Sequence, residues 1–398
     1  MRGLPTRHGM TLVEMLVAAA LTVFTMLILS EAFVRGLEAV RNMKATTALD
    51  QRLRSIAITL RQDLQAPHFE GDLRLSQLRQ PPDMGFFCYV ERNPSTVEGL
   101  DSLGRPSYRD TDDALHFTVR RRGNRQDEFF YGRVPPGSPM DLGLPKSRFD
   151  VLPDSRLGVP GVFSSQWAEV VYFLAPDPRG RQTFSPDADL PGLPLFYLYR
   201  RQLLLVPDFF TEGNNLTTGP GPINDPEFYR KYDLSAFEVS PATFVPNSPQ
   251  DVQFRHRRLG GWNGGWNYPP NTSPYPTLGQ QAGMSREGAD LLATEVLSFD
   301  VKVWDPSQGD FVDLGYNALG QRLNRGNQPT EQEPNNQNQP YMWHVYDTMS
   351  RRQAPLNYAN SRQFPVPYPS PIQALQIRIR LWDEKTRLTR EIVLLQNM

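Results

Sequence analysis

The sequence predicts an α+β fold: a long N-terminal α-helix, its first half apolar enough to cross a bilayer, packed on an antiparallel β-sheet head with large irregular insertions. Three observations predict it. Met10 to Leu29 is an apolar run whose only charge is Glu14. No proline occurs between Pro5 and Pro67, so nothing breaks a helix over that distance. Beyond Pro67, short stretches of alternating or continuous apolar character are separated by segments rich in Pro, Gly and Asn.

The helix comes first. Twenty residues at 1.5 Å each span roughly 30 Å, the thickness of a bilayer core. Arg2 and Arg7 precede the run, the side expected to stay cytoplasmic. A secretory signal peptide is the rival reading, and Ser30 and Ala32 offer a weak cleavage pair. Its apolar core is normally about 7–15 residues, however, and it ends where this chain stays helical. Past the run, apolar residues continue at Phe33, Leu37, Val40, Leu49, Leu53, Ile56, Leu60 and Leu64. From Leu49 the steps are four, three, four and four, an amphipathic stripe. One helix over residues 10–65 would be about 80 Å long. A rod of that length suits an assembly of rods.

Glu14 has two readings on physical grounds. It is a charge tolerated near the membrane interface, or a partner for a positive group on a neighbouring subunit, since ionisable residues within a membrane are by default functional.

The strands follow. In "ALHFTVR", Leu115, Phe117 and Val119 alternate with His116 and Thr118. "AEVVYFL" is continuously apolar, as for a strand buried on both faces. "FYLYRRQLLLV" (196–206) is rich in aromatic and branched residues, and "LSFDVKVWD" puts Phe299, Val301 and Val303 on one face. "ALQIRIRLWD" places Leu375, Ile377, Ile379 and Leu381 on one face and Gln376, Arg378 and Arg380 on the other, an antiparallel strand with one wet face. A turn around Glu384 to Thr386 and a returning strand complete a hairpin. The insertions lie near 207–290 and 320–370, long enough to be functional loops or disordered segments. Trp262, Trp266 and Tyr268, in the first of them, need cover or a partner.

At the N-terminus, "RHG" followed by "MTLVEMLVAAALT" resembles the class III signal of type IV pilins and type II secretion pseudopilins. The resemblance implies a leader over residues 1–9, cleavage after Gly9 by a prepilin peptidase, and methylation of Met10 as the new N-terminus. Met10 departs from the usual phenylalanine. Glu14, the fifth mature residue, would then compensate the N-terminal amine of an adjacent subunit during assembly. "LDQRLRSIAITLRQDLQAP" and the strand-like stretches resemble, more softly, the large J-type minor pseudopilins and the related W-type minor pilins. The expected organisation is a leader over 1–9, a membrane half over 10–30, an amphipathic half over 31–66 and a periplasmic head over 67–398. The implied partners are the prepilin peptidase/methylase, other major and minor pilin-like subunits, an inner-membrane assembly platform and the lipid bilayer. The implied location is the inner membrane, single-pass, and then a periplasmic pseudopilus or a surface pilus.

Composition excludes several alternatives. The 398-residue chain has a formal net charge of -1, so no nucleic-acid partner is expected. Its 37 prolines predict long irregular connections. The single cysteine, Cys88 in "MGFFCYV", rules out an internal disulfide and reads as a small buried hydrophobe. "RRRGNRQDE" from Arg120 reads as a solvated hairpin connection. No histidine pair has zinc-helix spacing, and His116 reads as a surface or sheet-edge residue. Nothing pairs a nucleophile with a base, so no enzyme activity is expected. Aspartates cluster at Asp110, Asp112 and Asp113, and again at Asp305 and Asp310. Calcium needs six to eight oxygens, and no loop has EF-hand spacing, so calcium is possible but unsupported and no cofactor is expected.

The function expected is therefore a minor subunit assembling through its helix into a type II secretion pseudopilus, near the tip. A minor type IV pilus subunit serving pilus priming, adhesion or DNA uptake is the first alternative. A signal-anchored or secreted β-rich binding protein is the second.

Overall fold

The computed structural model describes residues 11–71, 73–78, 80–90, 110–111, 113–134, 149–150, 161–183, 192–206, 232–240, 243–254, 257–259, 291–314, 345–349 and 371–398. Helix α1 runs over Leu12–Gln65, with Thr11 as N-cap. It stops because Pro67 disfavours helical dihedrals in the residue before it, and Ala66 is extended (φ -68°, ψ 153°). The stripe of Leu49, Leu53, Ile56, Leu60 and Leu64 is buried as the spacing predicts, joined by Ala57 and Asp63.

Thirteen strands lie among the described residues: β1 (Phe87–Val90), β2 (Ala114–Arg120), β3 (Phe130–Val134), β4 (Gly161–Ser165), β5 (Trp167–Pro176), β6 (Phe196–Leu204), β7 (Ala236–Ser240), β8 (Thr243–Pro246), β9 (Leu291–Asp305), β10 (Asp310–Val312), β11 (Val345–Asp347), β12 (Ala374–Asp383) and β13 (Leu388–Asn397). Nine form one sheet in the order β11-β1-β2-β5-β6-β9-β12-β13, with β10 paired to β9. All these pairs are antiparallel. β3–β4 and β7–β8 are separate two-stranded pieces. α1 lies against β13, β12 and β9. This is a pilin-like arrangement, a long helix laid on an antiparallel sheet.

The terminal hairpin matches its pattern. Leu375, Ile377, Ile379 and Leu381 are fully buried, while Gln376, Arg378 and Arg380 are half-buried. The turn between β12 and β13 is held by Asp383, whose carboxylate accepts from Thr386 N (2.9 Å) and Oγ1 (2.6 Å). Cys88 is fully buried on β1, as its apolar surroundings predict.

Three expectations are corrected. His116 is not at a surface or sheet edge: it is fully buried. The first insertion contains β7, β8 and the following residues to 259, and part of it covers the second face of β2 and β5, so alternation along β2 does not mark a wet side. The segment from Arg120 is solvated but is not a hairpin connection, because β2 belongs to the large sheet and β3 pairs with β4. Its basic residues pack locally, with Arg121 4.1 Å from the Phe130 ring and Arg120 5.0 Å from the Trp167 ring. Trp262, Trp266, Tyr268 and most of the second insertion lie outside the described residues.

Candidate functional site

The assembly residues implied by the N-terminal resemblance are Gly9, Met10 and Glu14. Gly9 and Met10 lie outside the described residues. Glu14 is at the third helical position and closes a capping box with Thr11. Thr11 N donates to Glu14 Oε2 (2.8 Å), and Glu14 N donates to Thr11 Oγ1 (3.3 Å). Two backbone N–H groups that would otherwise be orphaned are satisfied, which matters most where no water is at hand. The T-x-x-E spacing carries this role in the sequence, and neither reading of Glu14 above used it.

α1 is long and apolar enough to cross a membrane. The head buries none of its side chains before Leu49. Apolar exposure continues beyond the first apolar run: Phe33 is 68% exposed, Leu37 44% and Val40 49%. These three stand at i, i+4 and i+7, on one face. Glu31 and Arg35 pair across one turn elsewhere on the helix (2.5 Å).

The other end of α1 is fastened by charge. Asp63, buried among the stripe residues, accepts from Arg200 Nε (2.6 Å) and Nη2 (3.0 Å) and from the Tyr172 hydroxyl (2.6 Å). Burial alone would lower the Arg200 pKa, but the hydrogen bonds and charge of Asp63 outweigh it and hold the guanidinium protonated. Burial pushes the Tyr172 phenol well up, so it stays a donor. About three turns toward the N-terminus, Arg52 Nη2 donates to Thr294 Oγ1 (3.0 Å) and faces Glu295 (3.5 Å). Glu295 has φ +60°, at a bulge in β9, and its other oxygen meets Arg181 (3.0 Å). An isolated carboxylate in an apolar strand gives no sequence signal for such a joint.

A second polar group sits between the sheet and its cover. His116 Nε2 lies 2.6 Å from Glu169 Oε1, which also accepts from Leu259 N (2.8 Å). Ser235 donates to Glu169 Oε2, and Asn247 donates to Ser235 Oγ (2.8 Å). Burial would raise the Glu169 pKa, but its hydrogen bonds and the adjacent imidazole keep it below the ordinary value. The carboxylate stands between Ser235 and His116, so the imidazole is not placed to take the serine proton. The arrangement ties the cover to the sheet.

The aspartate clusters divide differently from their sequence spacing. Asp305 caps the β9–β10 turn, accepting from Ser307 N (2.8 Å) and Gln308 Nε2 (2.9 Å), and Asp310 pairs opposite it in the ladder. Asp112 lies outside the described residues. Asp110 and Asp113 are brought together with Asp300 of β9, each offering a carboxylate oxygen within 4.8 Å of the others. The chain thus has a pilin-like fold with, among the described residues, one membrane-length apolar helix, and no family model, curated protein or solved structure matches it.

Proposed function

We propose that the chain is a minor pilin-like subunit that assembles through α1 into a filament, with a type II secretion pseudopilus as the first reading and a type IV pilus as the second. The observation that carries it is the exposed apolar surface of α1 beyond the membrane-length run, at Phe33, Leu37 and Val40. A bare anchor needs about 20 apolar residues and no stripe past them. Helices packing side by side need the stripe. Residues 12–48 extend about 55 Å, well past a bilayer core of about 30 Å. The large head favours a place near the tip, where one bulky subunit does not crowd a thin fibre.

In this reading a prepilin peptidase releases residues 1–9 and methylates Met10, and Glu14 offsets the amine of the next subunit. Opposite charges brought together relieve each other's desolvation. Two experiments test it. Intact-mass and N-terminal peptide analysis of protein from native membranes should show a chain beginning at methylated Met10. An unprocessed start, or a cut near Ser30 to Ala32, would leave an anchored or secreted binding protein. Glu14→Gln separates the two roles of Glu14, since glutamine preserves the capping geometry but not the charge. Loss of subunit cross-linking through a cysteine at Leu37 in this variant supports charge pairing; wild-type cross-linking reduces Glu14 to a cap.

A further inference from the structure

β9 is one strand short of a full ladder over part of its length. β6 pairs with it only as far as Phe196↔Val296. Beyond that point the segment before β2 takes over: Phe299 N donates to the Asp110 carbonyl (3.0 Å), and Val301 N donates to Asp113 Oδ2 (2.6 Å). Asp113 Oδ1 accepts from the Tyr89 hydroxyl (3.2 Å). The substitution of loop for strand brings three carboxylates to one point, those of Asp110, Asp113 and Asp300.

Asp300 is the telling member. It is 4% exposed, and its Oδ1 accepts no hydrogen bond. A buried carboxylate oxygen with no donor is costly, and natural proteins leave few of them. The nearby cations are already engaged. Lys302 Nζ lies 2.9 Å from Asp313 Oδ1, and Arg378, opposite Asp300 on β12, lies 3.6 Å from Glu391. None of these cations donates a hydrogen bond to Asp300 Oδ1, so that buried oxygen stands without a donor beside two other carboxylates.

We propose that Asp110, Asp113 and Asp300 bind a divalent cation of the calcium class, which joins the segment before β2 to β9 where β6 ends. All the donors are hard carboxylate oxygens, the type such a cation takes. Oxygens on opposite sides of one calcium stand about 4.6–5.2 Å apart, and around magnesium about 4.0–4.2 Å. Every pair of the three carboxylate oxygens lies within 4.8 Å, inside the reach of a single calcium ion. Asp113 keeps its ladder role while ligating, because each carboxylate oxygen has a second lone pair.

The test uses the full chain in detergent, stripped with chelator and titrated with calcium chloride by calorimetry and by melting temperature. One site per chain is expected, with a dissociation constant on the order of 10⁻⁴ to 10⁻³ M. Saturating calcium should raise the melting temperature, and magnesium at the same concentration should do so less. Asp300→Asn and Asp110→Asn should each weaken binding at least tenfold and remove the calcium-dependent shift. Asp310→Asn, at the start of β10, should leave both unchanged. Absence of calcium binding overturns the site, as does binding that survives Asp300→Asn in a folded chain. An equal response to magnesium overturns the assignment to the calcium class.

Discussion

Removing either partner of the Asp63–Arg200 pair should unfasten α1 from the head. Asp63 receives two hydrogen bonds from Arg200 and one from Tyr172, and it is 6% exposed. In Asp63→Ala, Arg200 keeps only Gln202 Oε1 (3.1 Å) and the Tyr172 oxygen (3.2 Å). Breaking a buried pair by deleting one partner costs about 3–5 kcal/mol, because the other charge stays behind. Folded domains are stable by about 5–15 kcal/mol, so the loss is a large share. For a head of this size it corresponds to a fall in melting temperature of about 6–20 °C. Arg200→Ala should lose a similar amount. The double variant should lose less than the sum by about 2–3 kcal/mol, since neither charge is then stranded. Unfolding of the four full-length proteins in detergent, followed by circular dichroism, gives the cycle. Single losses near 1 kcal/mol, or strict additivity, would refute the reasoning.

The same pair should set register. With Asp63→Leu and Arg200→Leu together, stability should return near the parent value, because a buried ion pair often contributes little over apolar replacements. Spin labels at Ser55 and Lys385, both exposed, should then show a broadened distance distribution. A slip of one turn moves Ser55 by about 5.4 Å. An unchanged narrow distribution would mean that the apolar stripe alone fixes the helix.

Two further predictions concern the helix exit. Gly85 has φ +82°, and a Cβ there would stand 2.2 Å from the His68 carbonyl oxygen; Gly85→Ala should lose about 1–3 kcal/mol, and a melting temperature within 1 °C of the parent would contradict it. Burial lowers the His68 pKa from 6.5, against the opposing pull of the Thr118 and Leu64 carbonyls and Asp63. A histidine whose folded pKa is depressed adds stability above its unfolded value, and that stability drains away as pH falls from about 6.5 toward the folded pKa. Melting temperature should drop between pH 7.5 and 5.5, with a slope nearing 1.4 kcal/mol per unit from this group. His68→Gln should flatten the profile by one proton, and an unchanged profile would remove His68 as its source.

Legibility in the sequence followed the range of the forces. α1 was readable because its stripe repeats at helical spacing and Pro67 ends it. β12 and β13 were readable because one face meets the helix and the other meets water. His116 was misread because its strand alternates while both faces are covered, and the cover arrives from 232–259, over a hundred residues away in the chain. Asp300 could not be grouped with Asp110 from spacing, since only the end of β6 brings them together. The short strands β7, β8, β10 and β11 carry too few residues for a period to show.

The two ends of α1 pose different physical problems, and the chain answers them with different chemistry. At the head, apolar contact alone leaves the helix ambiguous. Leu49, Leu53, Ile56, Leu60 and Leu64 nearly repeat themselves on sliding by one turn, so a shifted helix would still bury most of its stripe. Asp63 and Arg52 have no such near-equivalent positions, because each meets specific groups on β6 and β9. Their pairs select one register, a use for which buried polar contacts are best attested. At the far end, the apolar surface from Leu12 to Val40 is uncovered and the single carboxylate is Glu14 until Glu31. A helix that joins others in lipid gains little from the hydrophobic effect between helices, so close packing and polar pairing must supply the specificity. In the proposed filament, fixing the helix firmly to the head would have a mechanical consequence: displacement of the packed helices would be carried into the head rather than lost in sliding at the joint.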